Sequence, residues 1–350
     1  MKVCFINTNI AWGGGEKWHY EQAKVLRHAG FDISFITHPK SKLSQKISNT
    51  SFSQKHFKVN KVSHLNFLLK KRISSYLSEQ NFDAVILNLP QDVKTFSPLA
   101  YNKVKKVIYR RGMDHPIKGS RLNKKIYPNY LTNIIANSEN VKKSISKFIP
   151  ELESKVKVIY NSISLDEIPL LKKTDSKLIL GNLGRLVEQK SQKLLIPLAQ
   201  ELIKKEIDFK ILIAGTGPLK EELSTLISEN NLEGYIKLLG HIDSEKFFKQ
   251  IDYFVFPSQF EGLSNALLEA QLYRKPSFAY NISSNSEIIE DKKNGFLFKY
   301  GDTQKMAQTI IELTKDSQRL ISIQESCIIN LKEKFDKNIT NQQLIELLNE

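Results

Sequence analysis

The sequence predicts an α/β protein made of two Rossmann-like, doubly wound domains in tandem, with a cleft between them. Three observations carry this. At 350 residues the chain is too long for one small core, since domains usually run to roughly 100–200 residues. Short apolar runs alternate with helical patterns through the first half, and the same alternation restarts in the second. Between the two series, 165–176 contains Pro169 and Lys172-Lys173-Thr174-Asp175 without a strand pattern. The expected division is therefore 1–168, 169–330 and a helical segment 331–350 that can pack back on the first domain.

In the first series, apolar runs at 2–6, 32–36, 84–88, 104–109, 133–136 and 156–160 read as strands. Helical patterns at 16–29 and 62–80 fill the space between. In the second series, strands fit 178–183, 209–214, 236–239, 252–256 and 277–280. Helices fit 190–205, 218–229, 244–249, 264–273 and 303–315. Strands joined through helices imply a mostly parallel sheet covered on both faces. In such units the carboxyl ends of the strands open onto the ligand crevice.

Composition narrows the class. With 41% hydrophobic residues, 25% charged residues and a mean hydropathy of −0.33, the chain reads as soluble and globular. No stretch approaches the ~20 apolar residues needed to cross a bilayer. Lys2-Val3-Cys4-Phe5-Ile6 reads as a strand rather than a secretory signal. Cys4 and Cys327 sit among apolar residues and read as reduced core thiols, which implies a cytoplasmic protein. The net charge of +15 is unevenly placed. Residues 1–170 hold 28 Lys/Arg against 12 Asp/Glu, and 171–350 hold 24 against 25. The excess is densest from 101 to 150, where 12 basic residues face two acidic ones. A one-sided basic surface attracts anionic partners: acidic lipid, phosphorylated glycan or nucleic acid.

Four loops at strand ends carry candidate chemistry. Trp12-Gly13-Gly14-Gly15-Glu16 opens the first helix, where glycines admit a ligand to backbone N–H groups and the helix N-terminus favours an anion. The spacing is not that of a dinucleotide fingerprint. Gly184-Arg185-Leu186-Val187-Glu188-Gln189-Lys190 follows a strand, and its Arg185 and Lys190 can converge on a diphosphate. Gly215-Thr216-Gly217-Pro218 reads as a turn that shapes a wall. In Pro257-Ser258-Gln259-Phe260-Glu261-Gly262-Leu263-Ser264, Ser264 is a good helix N-cap and Gly262 and Leu263 offer backbone donors. Glu261 precedes the helix, and Glu269 lies on it between Leu268 and Ala270. A buried carboxylate there needs a partner such as a polyol hydroxyl.

These residues resemble the retaining family-4 glycosyltransferases of the GT-B fold. The resemblance rests on Gly184-Arg185 with Lys190, Gly215-Thr216-Gly217-Pro218-Leu219, Leu239-Gly240-His241 and the E-x7-E pair Glu261 and Glu269. In the first half it rests on Gly13-Gly14-Gly15-Glu16, Ile135-Ala136-Asn137-Ser138 and Val158-Ile159-Tyr160-Asn161. It implies an acceptor-binding first domain and a second domain that binds a nucleotide-diphosphate sugar. Arg185 and Lys190 would hold the diphosphate. Glu261 would contact the transferred sugar beside Gly262 and Leu263, and Glu269 the ribose. His241 and Ile242 would lie near the base, and Gly14 and Gly15 would face the donor phosphate and the acceptor. Asp114 or His115 would orient or deprotonate the acceptor hydroxyl, and Arg110 and Arg111 would meet an acceptor phosphate. Such enzymes retain anomeric configuration and work without a metal cofactor; the chain has no D-x-D pair to hold one. Two places depart from the family pattern. Ser283-Ser284-Asn285-Ser286 precedes Glu287 where the family carries Gly-Gly, and Asn161-Ser162-Ile163-Ser164 replaces Asn-Gly and an acidic residue.

The implied reaction is transfer of a hexose or N-acetylhexosamine, from UDP-sugar above other donors, to a hydroxyl of a surface glycan. Lipopolysaccharide or another anionic or lipid-linked acceptor at the inner membrane surface fits the basic half. The alternatives are another GT-B nucleotide-sugar enzyme such as an epimerase, a nucleic-acid-binding protein, and a non-catalytic binder of nucleotide or glycan. Nucleic acid is not expected as a partner, because no recognised binding motif accompanies the charge.

Overall fold

The computed structural model describes residues 1–169 and 177–350. Residues 170–176 of the expected linker lie outside them. Thirteen strands form two sheets among the described residues. The first sheet contains β1 (Lys2–Asn7), β2 (Asp32–Thr37), β3 (Ser53–His56), β4 (Ala84–Leu87), β5 (Lys106–Arg111), β6 (Asn133–Ala136) and β7 (Val156–Val158) in the order β3-β2-β1-β4-β5-β6-β7. The second contains β8 (Leu178–Leu183), β9 (Phe209–Ala214), β10 (Ile236–Gly240), β11 (Tyr253–Phe256), β12 (Ser277–Tyr280) and β13 (Gly295–Phe298) in the order β10-β9-β8-β11-β12-β13. Every pairing is parallel.

The apolar runs dictate this. Val3 to Ile6 and Ala84 to Leu87 are buried at every position, as strands covered by helices on both faces require. One face of the first sheet packs Ile6, Val85, Val107 and Ile134 against Phe96 and Tyr127. The opposite face packs Phe5, Ile86, Ile108 and Ile135 against Leu26, Leu344, Leu347 and Leu348. The second sheet buries Leu180, Ile211, Ile213, Val255 and Phe278 against Leu198, Leu202 and Ile310. Cys4 and Cys327 are buried and unpaired, and burial pushes both thiols far above their ordinary range.

Two strands escaped the sequence reading. The β3 segment Ser-Gln-Lys-His is polar because it is an edge strand bonded only to β2. The β13 segment is only four residues long and follows a turn. The helix expected over 190–205 starts at Leu195, since Ser191 is in the left-handed region at φ 49° and two short 3-10 turns precede it.

The units divide after Asn161 rather than after 168, and 331–350 is not a single segment. Met1–Asn161 with Asn338–Glu350 forms one unit, and Ser162–Lys337 the other. The reason is a short parallel bridge within the second unit. Ile163 donates to the Phe335 carbonyl at 3.0 Å and accepts from the Lys337 amide at 3.2 Å. Leu331–Phe335 is a π-helical turn belonging to the second unit, and only the helix Lys337–Asn349 carries the leucines that cover the first sheet.

Candidate active site

In the second sheet the winding reverses between β8 and β11, so the loops after these strands flank a topological switch point. The β8 loop is 184–190 and the β11 loop is 257–264. Gln189 ties them together: its side chain donates to the Phe260 carbonyl at 2.8 Å, and its own carbonyl accepts from the Gln259 amide at 2.8 Å. Lys190 Nζ then lies 2.5 Å from Glu261 Oε1 and 5.0 Å from the centre of the Phe256 ring. Both side chains of this pair are largely shielded, at 15% and 12% exposed. Arg185, on the same loop, is exposed and has no side-chain partner among the described residues. The crest thus offers a free guanidinium beside a shielded lysine–glutamate pair.

Neighbouring loops brace this crest. Gly184 donates to the Ala214 carbonyl at 2.9 Å, Leu186 to the Thr216 carbonyl at 3.0 Å, and Gly215 to the Gly240 carbonyl at 2.7 Å. A Cβ on Gly215 would stand 1.8 Å from the Gly184 carbonyl oxygen, and its φ of +140° already requires glycine. The Gly-Thr-Gly-Pro turn is therefore a wall, and it carries the 240–242 turn beside it. His241 is exposed there and Ile242 half-buried. Ser264 caps the helix Asn265–Leu272, accepting from the Leu267 amide at 3.4 Å. Gly262 is half-buried, and the Leu263 side chain is buried, leaving backbone as what this residue can present. Glu269, expected to be buried, is half-buried on the second turn, so desolvation alone does not demand a ligand for it. Burial, then Glu245 and Asp243, raise the Tyr273 phenol, and Glu269 adds a smaller push.

The first sheet has its own switch point between β1 and β4. Glu16, in the first turn of the helix Gly14–His28, is buried beneath the glycine loop. Its Oε1 accepts from the side-chain amides of Asn7 at 3.2 Å, Asn9 at 3.0 Å and Asn88 at 3.1 Å. A carboxylate at a helix N-terminus also gains from the backbone dipole. Gly14 is exposed and a Cβ there would meet nothing, whereas one on Gly15 would stand 2.8 Å from Asn88 Oδ1. Asp92 is fully buried, accepting from the Thr8 and Leu89 amides at 3.3 Å each and from the Thr8 hydroxyl; burial pushes its carboxyl up to about 7. Asn7, Asn88 and Gln189 had no role in the sequence reading. Their one signal is position: each stands at or just beyond the carboxyl end of an apolar run.

The remaining candidates are engaged within the first unit. Arg110 was expected at the surface and is 6% exposed. Its Nη2 donates to Asn161 Oδ1 at 3.0 Å, and its guanidinium lies over Trp18. Burial lowers it to about 10. A Cβ on Gly112 would collide with this guanidinium, so the glycine is what lets it fold inward. Arg111 donates to the Tyr109 hydroxyl at 3.0 Å and to the His115 carbonyl. Neither arginine stands out as a surface fork for a phosphate. Asp114 accepts from Asn140 Nδ2 at 2.6 Å and from the Ser144 hydroxyl, holding the helix Glu139–Ser146, while His115 is exposed. His19, missed in the sequence, is wholly buried, with no hydrogen bond to either ring nitrogen among the described residues. Burial and then Arg110 hold it well below its ordinary range.

The model of the family described as glycosyl transferases group 1 matches residues 165–340. The chain belongs to this glycosyltransferase family. A second model, described as Glycosyltransferase Family 4, matches residues 12–167. The capsular polysaccharide biosynthesis glycosyltransferase CapH of Staphylococcus aureus is 25% identical over 99% of this glycosyltransferase and 98% of its own length. The poly(ribitol-phosphate) alpha-N-acetylglucosaminyltransferase of S. aureus strain COL is 28% identical over 55% of this chain, which spans only 39% of that relative. Among solved structures, Anabaena HepE in complex with UDP superposes over the full length of both chains with a TM-score of 0.84 at 20% identity. S. aureus TarM, also over the full length of both, gives 0.81 at 16%. These likenesses show two Rossmann-like domains of the GT-B kind. No helix among the described residues is long and apolar enough to cross a membrane.

Proposed function

We propose that this glycosyltransferase moves a hexose or N-acetylhexosamine from a UDP-sugar to a hydroxyl of a surface-glycan acceptor, with retention of configuration. The observation that carries the reading is the contact of Lys190 with Glu261 across the two loops that flank the switch point of the second sheet, with exposed Arg185 on the Lys190 loop. Arg185 and Lys190 would meet the diphosphate and offset the charge that grows on it as the bond from the sugar C1 to phosphate oxygen breaks. Glu261, already held by Lys190, would accept hydrogen bonds from the sugar hydroxyls beside Gly262 and Leu263. Glu269 would take the ribose, and His241 and Ile242 would lie toward the base. The acceptor oxygen bonds to C1, and its proton leaves on the departing phosphate oxygen of the same face. Lys190, held by Glu261, and the uncommitted Arg185 would do the electrostatic work without a metal.

Support for donor and acceptor class comes from the relatives: HepE binds UDP, CapH is named for capsule synthesis, and another is named for adding N-acetylglucosamine to poly(ribitol phosphate). The strongly basic first half fits an anionic or lipid-linked acceptor, as in lipopolysaccharide or other polysaccharide biosynthesis. The test is a thermal-shift series with UDP, GDP, ADP and CMP and their sugars in EDTA. A ligand bound only by the folded state must raise the melting temperature. Stabilisation by UDP that Arg185→Ala and Glu269→Ala abolish is the expected result. Equal indifference to every nucleotide would sink the reading.

A further inference from the structure

The structure shows an apolar patch that neither sheet absorbs. Val62, Leu65, Phe67 and Leu68 are 62%, 75%, 75% and 72% exposed, within seven residues. The backbone holds them outward. Asn60 accepts from the Val62 amide at 3.0 Å, and a 3-10 turn over Ser63–Leu65 follows. Asn66 then caps the helix Phe67–Gln80 by accepting from the Leu69 amide at 2.9 Å. The inner face of that helix sends Leu69, Ile73 and Leu77 into the core. Its outer face carries Phe67 and Leu68 on the first turn and Lys71 and Arg72 one turn on, at i,i+4 spacing.

The surroundings are cationic. From 33 to 78 the chain holds nine Lys or Arg and no Asp or Glu. Lys58, Lys61, Lys71 and Arg72 are all exposed. Soluble monomers rarely leave so many large apolar side chains contiguous and uncovered. A polyanion alone would use the cations and leave the leucines in water. An acidic protein partner would use both only with its own apolar side chains matched to a turn of seven residues. A bilayer with anionic headgroups uses both in one geometry: apolar side chains enter the acyl boundary while lysines and arginine meet the headgroups.

We propose that the 62–68 turn and the start of the helix Phe67–Gln80 form the membrane-docking surface of this enzyme, selective for anionic lipid. The binding needs no nucleotide, so it stands or falls apart from the donor reading. The test is flotation of the full chain with vesicles of phosphatidylcholine alone and with phosphatidylglycerol added. Wild type floats only with the anionic vesicles. The combined Leu65→Ser, Phe67→Ser and Leu68→Ser variant binds on the order of a hundredfold more weakly, from the lost apolar burial. Neutralising Lys71 and Arg72 with Gln weakens binding by about fivefold per cation. All these side chains are exposed, so melting temperature and UDP-induced shifts stay as in wild type. A Phe67→Trp reporter is quenched by brominated lipid in the anionic vesicles. No flotation, flotation that the triple variant retains, or flotation without quenching would each overturn the proposal. So would a dimer in sedimentation that the triple variant dissolves while wild type ignores vesicles; that result would give the patch to a second copy of the chain.

Discussion

The two sheets share one winding order and place a glutamate at equivalent crests, yet the two carboxylates live in opposite surroundings. Glu16 lies buried under the glycine loop with three asparagine amides converging on one oxygen. Glu261 faces a lysine across 2.5 Å, with an exposed arginine on the lysine's loop. The first arrangement is neutral donors saturating a charge, which fixes a loop. The second keeps cationic charge where a diphosphate can reach it. Topology marks both crests alike; the partner of each carboxylate separates a saturated brace from a crest that leaves an arginine uncommitted.

The comparison can be broken most directly at Lys190. On the proposed reading Lys190→Ala would remove a cation from the leaving group and should lower kcat by about a hundredfold or more, by analogy with loss of one electrostatic contact to developing charge. The fold should persist, because the pair sits at the edge of the crest and not in the core; circular dichroism alongside a transfer assay checks both. Glu16→Ala tests the opposite crest. It leaves three amide groups without their acceptor and should destabilise the fold by about 2–4 kcal/mol, measured by urea unfolding. A variant as stable as wild type would remove the brace reading. The glycines sharpen the contrast on a smaller scale. Gly15→Ala forces the Asn88 amide aside and should cost about 1–2 kcal/mol, whereas Gly14→Ala meets open space and should stay within about 0.5 kcal/mol.

A further effect concerns pH. The folded state holds Asp92 up to about 7, above the 3.8 of an ordinary aspartate, so folding favours its protonated form. Its contribution to stability is fully present below about 4 and is lost as pH rises through about 7. Asp92→Asn keeps an acceptor for the Thr8 and Leu89 amides and cannot ionise. The difference in stability between wild type and variant should therefore drift in the variant's favour from pH 4 to 7. A constant difference across that range would show that Asp92 ionises without penalty.

Much of the fold was legible because buried parallel strands need unbroken apolar runs, as Val3–Ile6 and Ile211–Ala214 show. Edge strand β3 was not, because its polar residues lie at the sheet edge and join β2 through backbone pairing and through the Ser34–Ser53 and Thr37–His56 side-chain bonds rather than through an apolar run. The candidate site was half legible. Arg185, Lys190, Glu261 and the Ser264 cap could be picked out from strand-end loops. The Lys190–Glu261 pair could not, since 71 residues separate its partners and only the adjacency of β8 and β11 joins them. Arg110 misled for a related reason: a basic residue at a strand end looks solvent-facing in sequence, while Trp18, Asn161 and the absence of a side chain at Gly112 draw it inward. Ser283, in the position where a Gly-Gly was expected, takes a left-handed φ of 44°, a conformation glycine adopts without strain.

The helix Lys337–Asn349 has a consequence for the order in which the chain acquires its structure. Leu344, Leu347 and Leu348 cover a face of the first sheet, yet the ribosome makes them only after all of Ser162–Lys337. At roughly 5–20 residues per second, that face waits about 10–40 s between synthesis of its strands and arrival of its cover. During translation this face of the first sheet is therefore only partly covered, by Leu26 and its neighbours on the helix Gly14–His28, and the rest stays open to chaperones and to other nascent chains. Expression losses should concentrate in that interval, and a premature stop anywhere in the second unit should leave an aggregation-prone fragment rather than a free-standing first domain.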